Sequence, residues 1–116
     1  MWHRCPYRLR SGCKQEALRS PDLVDQFKAD MLGGNWDYAR RGSSFVYWRQ
    51  GHTVWVGEGH HRANAALEIG RETGDWSHLH RLLDYGFYHP GTPPEGDQRP
   101  FPTRRFWSWL FLILGW

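Results

Sequence analysis

Cysteine is scarce in this 116-residue chain, with Cys5 and Cys13 alone near the N-terminus. No second pair exists to complete a zinc ribbon, which leaves two reduced thiols or a disulfide closing a short loop. Lysine is almost missing too, at Lys14 and Lys28 only, so the positive charge is guanidinium, the better fork for phosphate. The formal net charge of +3 is far short of the basic stripe of a DNA-coating protein; composition permits a nucleic-acid partner without demanding one. No long apolar run is present: Phe106 to Trp116, broken by Ser108, is about half of the ~20 residues a membrane-spanning helix needs. No apolar run follows the N-terminal arginines, so no secretory leader is expected and the expected location is cytoplasmic. There is no internal repeat and no His-x-x-x-His pair on one helical face that would argue for a metal.

What the chain does have is aromatic weight, with eight tryptophans and 16% Phe, Trp and Tyr. At this length a single domain with a small, aromatic-rich core is expected, independent of disulfide or metal. Residues 1–19 are Arg-rich and aperiodic and read as an arm or linker. Ser20-Pro21-Asp22 then offers an N-cap, a proline at the first helical position and an acid in the first turn. Leu23, Val24, Phe27 and Met31 share one helical face and Gly33-Gly34 closes the pattern, predicting a helix over 21–32. Phe45-Val46-Tyr47-Trp48 and Thr53-Val54-Trp55-Val56 around Gln50-Gly51 predict a β-hairpin.

From His60 to about Glu72 the pattern is helical, with Ala63, Ala66, Leu67 and Gly70 on the packed face. Leu79, Arg81, Leu83 and Tyr85 alternate with His80, Leu82 and Asp84, predicting a third strand over 79–85. Five of the seven prolines fall in residues 89–104, a loop, and the apolar segment 106–116 needs a core, a partner or a lipid surface to cover it. The class expected for 20–116 is α+β, a small mixed sheet with packed helices.

Gly57-Glu58-Gly59-His60-His61-Arg62 sits where the hairpin hands over to the next helix. Backbone N–H groups at such a terminus attract anions, Gly59 lets a phosphate approach the main chain, and Arg62 adds a bidentate donor. Glu58, His60 and His61 bring a carboxylate and two imidazoles, the usual proton-transfer groups, to the same corner. The plainer alternative for the two histidines is a helix cap or a core imidazole. Arg40, Arg41, Arg49, Arg81 and Arg104-Arg105 are candidates for a phosphate-tracking groove, with Trp36 or Trp48 to stack bases, against scattered solvated arginines and core tryptophans. His78 and His80 would share one face of the strand expected there.

The stretch from Thr53-Val54-Trp55-Val56 through Gly59-His60-His61-Arg62-Ala63-Asn64-Ala65-Ala66 resembles the signature of the ParB/sulfiredoxin-like superfamily: a strand, an acidic glycine corner with His-Arg or Arg-Arg, and a helix of small residues. Met31-Leu32-Gly33-Gly34-Asn35-Trp36 is similar to the run-in to that hairpin, and the likeness covers roughly residues 20–86. It implies that Gly59, His61 and Arg62 contact phosphate, of CTP as in partition proteins or of ATP as in sulfiredoxin and the free-serine kinases. His60 stands where sulfiredoxin carries its catalytic cysteine, which excludes sulfiredoxin chemistry. Glu58 replaces the commoner aspartate, and the 116 residues hold no helix-turn-helix for centromere binding.

A short ParB-like domain with an Arg-rich front and a Pro-rich tail is similar to the ParB-like modules of bacterial polymorphic toxins, which are regarded as nucleases. The resemblance thus implies a nuclease toxin domain acting on DNA or RNA in the cytoplasm of a target cell, with a cognate immunity protein as partner. In that reading Gly59 and Arg62 seat the phosphate, His60 or His61 exchanges the proton, and Glu58 orients a histidine or holds a divalent metal such as Mg²⁺. The alternatives are an ATP- or CTP-dependent phosphotransferase or switch, and a non-enzymatic fragment docking through its Trp-rich tail.

Overall fold

Two runs of β-branched and aromatic residues fold back on each other around Gly51, whose φ of +58° suits the first central position of a type II′ turn. The computed structural model describes residues 2–12, 20–38, 45–92 and 101–103. Their order is β1 (Arg8–Ser11), α1 (Pro21–Leu32), β2 (Val46–Gln50), β3 (Thr53–Glu58), α2 (His60–Thr73), α3 (Ser77–Tyr85) and β4 (Phe87–Tyr88). This is the α+β class expected, three helices and a four-stranded mixed sheet among the described residues. Arg40, Arg41, Cys13, most of the Pro-rich loop and the apolar segment 106–116 lie outside them.

The sheet runs β1-β3-β2-β4. β2 and β3 are antiparallel, whereas β1 lies parallel to β3 with Ser11 level with Val56, and β4 lies parallel to β2. Residues 8–11 are therefore a sheet edge and not part of an Arg-rich arm. Four residues with only Leu9 and Ser11 turned to the core are too short and too basic to register as a strand by composition. Trp48 reaches across from β2 toward β1, which Gly12 and Gly57 allow: a Cβ on either would come within 2.7 or 2.8 Å of its ring.

The strand expected over 79–85 is instead the helix α3. Leu79, Leu82 and Leu83 are buried at helical spacing, and the Asp75 carboxylate accepts the Ser77 N–H at 3.0 Å to start the first turn. The alternation that suggested a strand is the same apolar set read with period two. α1 keeps its expected bounds, with Val24 and Met31 buried, Phe27 half-buried and Leu23 at the surface. Its left-handed closing residue is Gly34, φ +75°, while Gly33 stays right-handed.

α2 is the centre of the molecule. Every residue from Ala63 to Gly70 is buried, because the sheet, α1 and α3 all press on it and its alanines and glycine allow close approach. Lys28 of α1 donates to Glu68 at 3.1 Å and, nearer the surface, to both Glu72 oxygens at 3.1 and 3.2 Å. Glu68 is only 3% exposed, and Lys28 neutralises it from across the α1–α2 seam.

Gly70 tests the packing. Alanine ordinarily favours a helix interior over glycine by about 1 kcal/mol, but a Cβ here would fall 2.1 Å from the Trp76 ring. Gly70→Ala is expected to destabilise the fold by about 1–3 kcal/mol through overpacking, read as a lower urea midpoint. A midpoint raised by the substitution would mean that Trp76 does not hold this place.

Candidate functional site

β1 and β3 end side by side, and each is followed in sequence by a helix whose N-terminus returns to that edge. The Ser20 backbone N–H, at the start of α1, donates to His61 Nε2 in the first turn of α2 at 3.2 Å. The partial positive ends of two helices thus meet at the carboxyl ends of two parallel strands, the arrangement in which α/β sheets bind ligands and helix termini bind anions. Gly59 makes the turn from β3 into α2 with φ +100° and ψ 31°, a left-handed conformation that costs a side-chain-bearing residue roughly 1–2 kcal/mol.

The sequence-derived site residues divide here. Glu58 ends β3 at the surface, opposite Val46 across the hairpin. His61 is half-buried; burial, then the Arg62 charge, holds its imidazole below the ordinary range, so it is neutral at pH 7. Its Nε2 accepts from Ser20, which leaves the proton of the neutral ring on Nδ1. Arg62 is half-buried with its guanidinium 5.7 Å from the Phe27 ring centre.

His60 has turned inward. It is 3% exposed, stacks on Phe101 with ring centres 5.6 Å apart, and shares a 3.1 Å hydrogen bond between Nε2 and Ser11 Oγ. Burial, with His61 adding a lesser push, lowers its pKa to about 4. Of the candidate arginines, Arg49 lies at the turn end of the hairpin, away from Gly59; its Nε donates to the Gly51 carbonyl and its guanidinium lies over Tyr7. Arg81 is exposed on α3 over Tyr38. Arg40 and Arg41 are outside the described residues.

Three residues at the corner were not expected from sequence. Ser11 ends β1 fully buried against His60. Asn64 is fully buried too; its amide donates to the His60 and Pro102 carbonyls at 2.8 and 2.9 Å, while its Oδ1 is buried without a hydrogen-bond partner. Ser20 supplies the link to His61 through its backbone. Only Asn64 had a readable signal, a single amide among alanines four residues after His60.

Among the described residues, no three His, Cys, Asp or Glu side chains gather as a metal-binding group, and no helix is long and apolar enough to cross a membrane. Searches against protein-family models, curated proteins and solved structures found no match to the chain.

His60 gives this corner a pH signature. Its proton affinity is depressed in the folded state, so above pH 6.5 it is neutral folded or unfolded and contributes nothing to the pH dependence. Below 6.5 the unfolded chain takes up a proton that the folded one refuses, and stability is lost as pH falls from 6.5 to about 4. His60→Gln, which keeps a hydrogen-bonding group beside Ser11 but does not titrate, is expected to flatten this limb by up to one proton, about 1.4 kcal/mol per pH unit. Urea unfolding at stepped pH measures it; an acid limb as steep as the wild type's would show His60 protonated in the fold.

Proposed function

We propose that the chain is a ParB/sulfiredoxin-like domain that seats a nucleic-acid phosphodiester at the Gly59 corner and hydrolyses it. The observation that carries this reading is the meeting of two helix N-termini, bridged by Ser20 and His61, at the carboxyl ends of parallel strands β1 and β3. A phosphate there meets main-chain N–H donors, two helix dipoles and the Arg62 guanidinium, groups already in place and suited to charge that builds on phosphoryl oxygens.

In this reading His61 carries the proton. Its ring is neutral at physiological pH, and its Nδ1–H is a donor for a phosphoryl oxygen. Once a ligand draws His61 off the Ser20 N–H, the Nε2 lone pair accepts a proton from an attacking water. The new bond is from that water oxygen to phosphorus, and the bond broken is from phosphorus to the leaving sugar oxygen, which takes its proton back from the imidazolium or from solvent. His60 keeps a structural part, closing the corner between Ser11 and Phe101. Glu58, exposed at the rim, is available to orient the water or a ring nitrogen.

Incubation with supercoiled plasmid and with total RNA, with and without Mg²⁺, tests the reading. The wild-type protein is expected to cut one of the two, and His61→Ala to lower the rate by about 10²- to 10⁴-fold, the usual worth of a positioned acid–base group, while remaining folded by far-UV circular dichroism. Cleavage undiminished in a folded His61→Ala protein, or no cleavage of either polymer by the wild type, would overturn it.

A further inference from the structure

A row of aromatic rings leaves the corner toward α3. Arg62 lies over Phe27; the Phe27 and Trp36 rings meet edge to face at 5.0 Å, Trp36 and Tyr38 at 6.5 Å, and the Arg81 guanidinium lies 5.8 Å from the Tyr38 ring centre. Two arginines therefore bracket a chain of three contacting rings. At its far end is a hollow of about 370 Å³ lined by Trp36, Asp37, Tyr38, Arg81, Asp84 and Tyr85.

The wall of that hollow is held in place from behind. Tyr38 Oη donates to His78 Nδ1 at 2.5 Å, and His78 Nε2 lies 3.6 Å from the Asp75 carboxylate. Burial pushes the Tyr38 hydroxyl up to about 12, while the charge and hydrogen bond of Arg81 act the other way. Tyr85, which also lines the hollow, is 63% exposed, an apolar ring presented to solvent by a helix whose other large apolar residues are buried. The hollow thus combines π-faces for stacking, two carboxylates that accept N–H donors and repel anions, and one arginine at its edge. Flat, donor-bearing and phosphate-linked describes a nucleobase.

We infer that the substrate is a single-stranded nucleic acid that has one phosphate at the Gly59 corner and, some nucleotides further along the strand, a base in the hollow lined by Tyr38 and Tyr85, with Arg81 beside a phosphate there. The inference rests on the proposed phosphodiester-binding function of the Gly59 corner and adds the polymer class and a base preference. The carboxylates of Asp37 and Asp84 favour bases with exocyclic amino groups, cytosine among them, over uracil or thymine, which offer carbonyl oxygens at the same edge.

The test is fluorescence anisotropy of the whole chain with end-labelled oligocytidylate and oligouridylate tetranucleotides, and competition by the mononucleotide CMP. The wild type is expected to bind the cytidylate tetramer at least tenfold more tightly than CMP and more tightly than the uridylate tetramer. Tyr85→Ala is expected to weaken tetramer binding by about 5- to 150-fold, the worth of one stacked base. Asp84→Asn should erase the preference for cytidylate. Both positions are exposed, so far-UV circular dichroism of the variants checks that the fold is intact.

Tetramer affinity unchanged by Tyr85→Ala but lost in Arg62→Ala would overturn the hollow while leaving the corner standing. Tight CMP binding with no gain for the tetramer would do the same and make the ligand a free nucleotide. Failure of the wild type to bind any of the three would overturn both readings together.

Discussion

The parallel pairing of β1 with β3 is the constraint on which the rest of this structure hangs. It rests on four residues, Arg8 to Ser11, in register with Thr53 to Val56. Without it nothing brings Ser11 and the end of β1 to the edge where β3 hands over to α2, the edge at which packing on α2 already holds the start of α1. With it, two strand ends and two helix N-termini occupy one edge of the sheet, and their backbone dipoles add where neither helix alone would hold an anion well.

Keeping two like helix ends together has an electrostatic cost, and the structure meets it on the side of the helices. α1 and α2 are locked along their length by Lys28 between Glu68 and Glu72, with Glu68 almost fully buried. A triad of this kind contributes little net stability against an apolar replacement, but it favours one register, in which Lys28 meets both carboxylates. The small residues of α2 act in the same direction: Ala63, Ala65, Ala66 and Gly70 let α1, α3, Trp76 and the sheet close around the helix, and Gly70 leaves no space for a methyl group.

Much of this was legible before the fold was seen, and what was not has a physical reason. The hairpin, α1 and α2 carry strong local signals: β-branched runs about a glycine turn, a Ser-Pro-Asp start, and a helix of alanines after a glycine corner. β1 was hidden because its pairing is non-local and two of its four side chains are arginine. α3 was misjudged because a leucine-rich stretch between Trp76 and Tyr85 fits periods of two and of 3.6 residues alike, and only its packing on α2 decides. At the site, sequence brought forward Glu58, Gly59, His61 and Arg62 as neighbours, yet could not tell that His60 faces inward, since adjacent helical residues point about 100° apart and either could have met the core. Ser11, Ser20 and the row from Phe27 to Tyr38 come from other parts of the chain and become visible only when the helices are placed.

The account's central claim is that the two helix starts form one anion site. The most direct measurement is a backbone-amide NMR titration of the whole protein with a short single-stranded dinucleotide. The largest shifts are expected to fall together on Gly59 to Arg62 and on Ser20 to Val24, two segments far apart in sequence that meet at the Ser20–His61 contact. Shifts confined to one helix, or centred on any other part of the sheet, would contradict it.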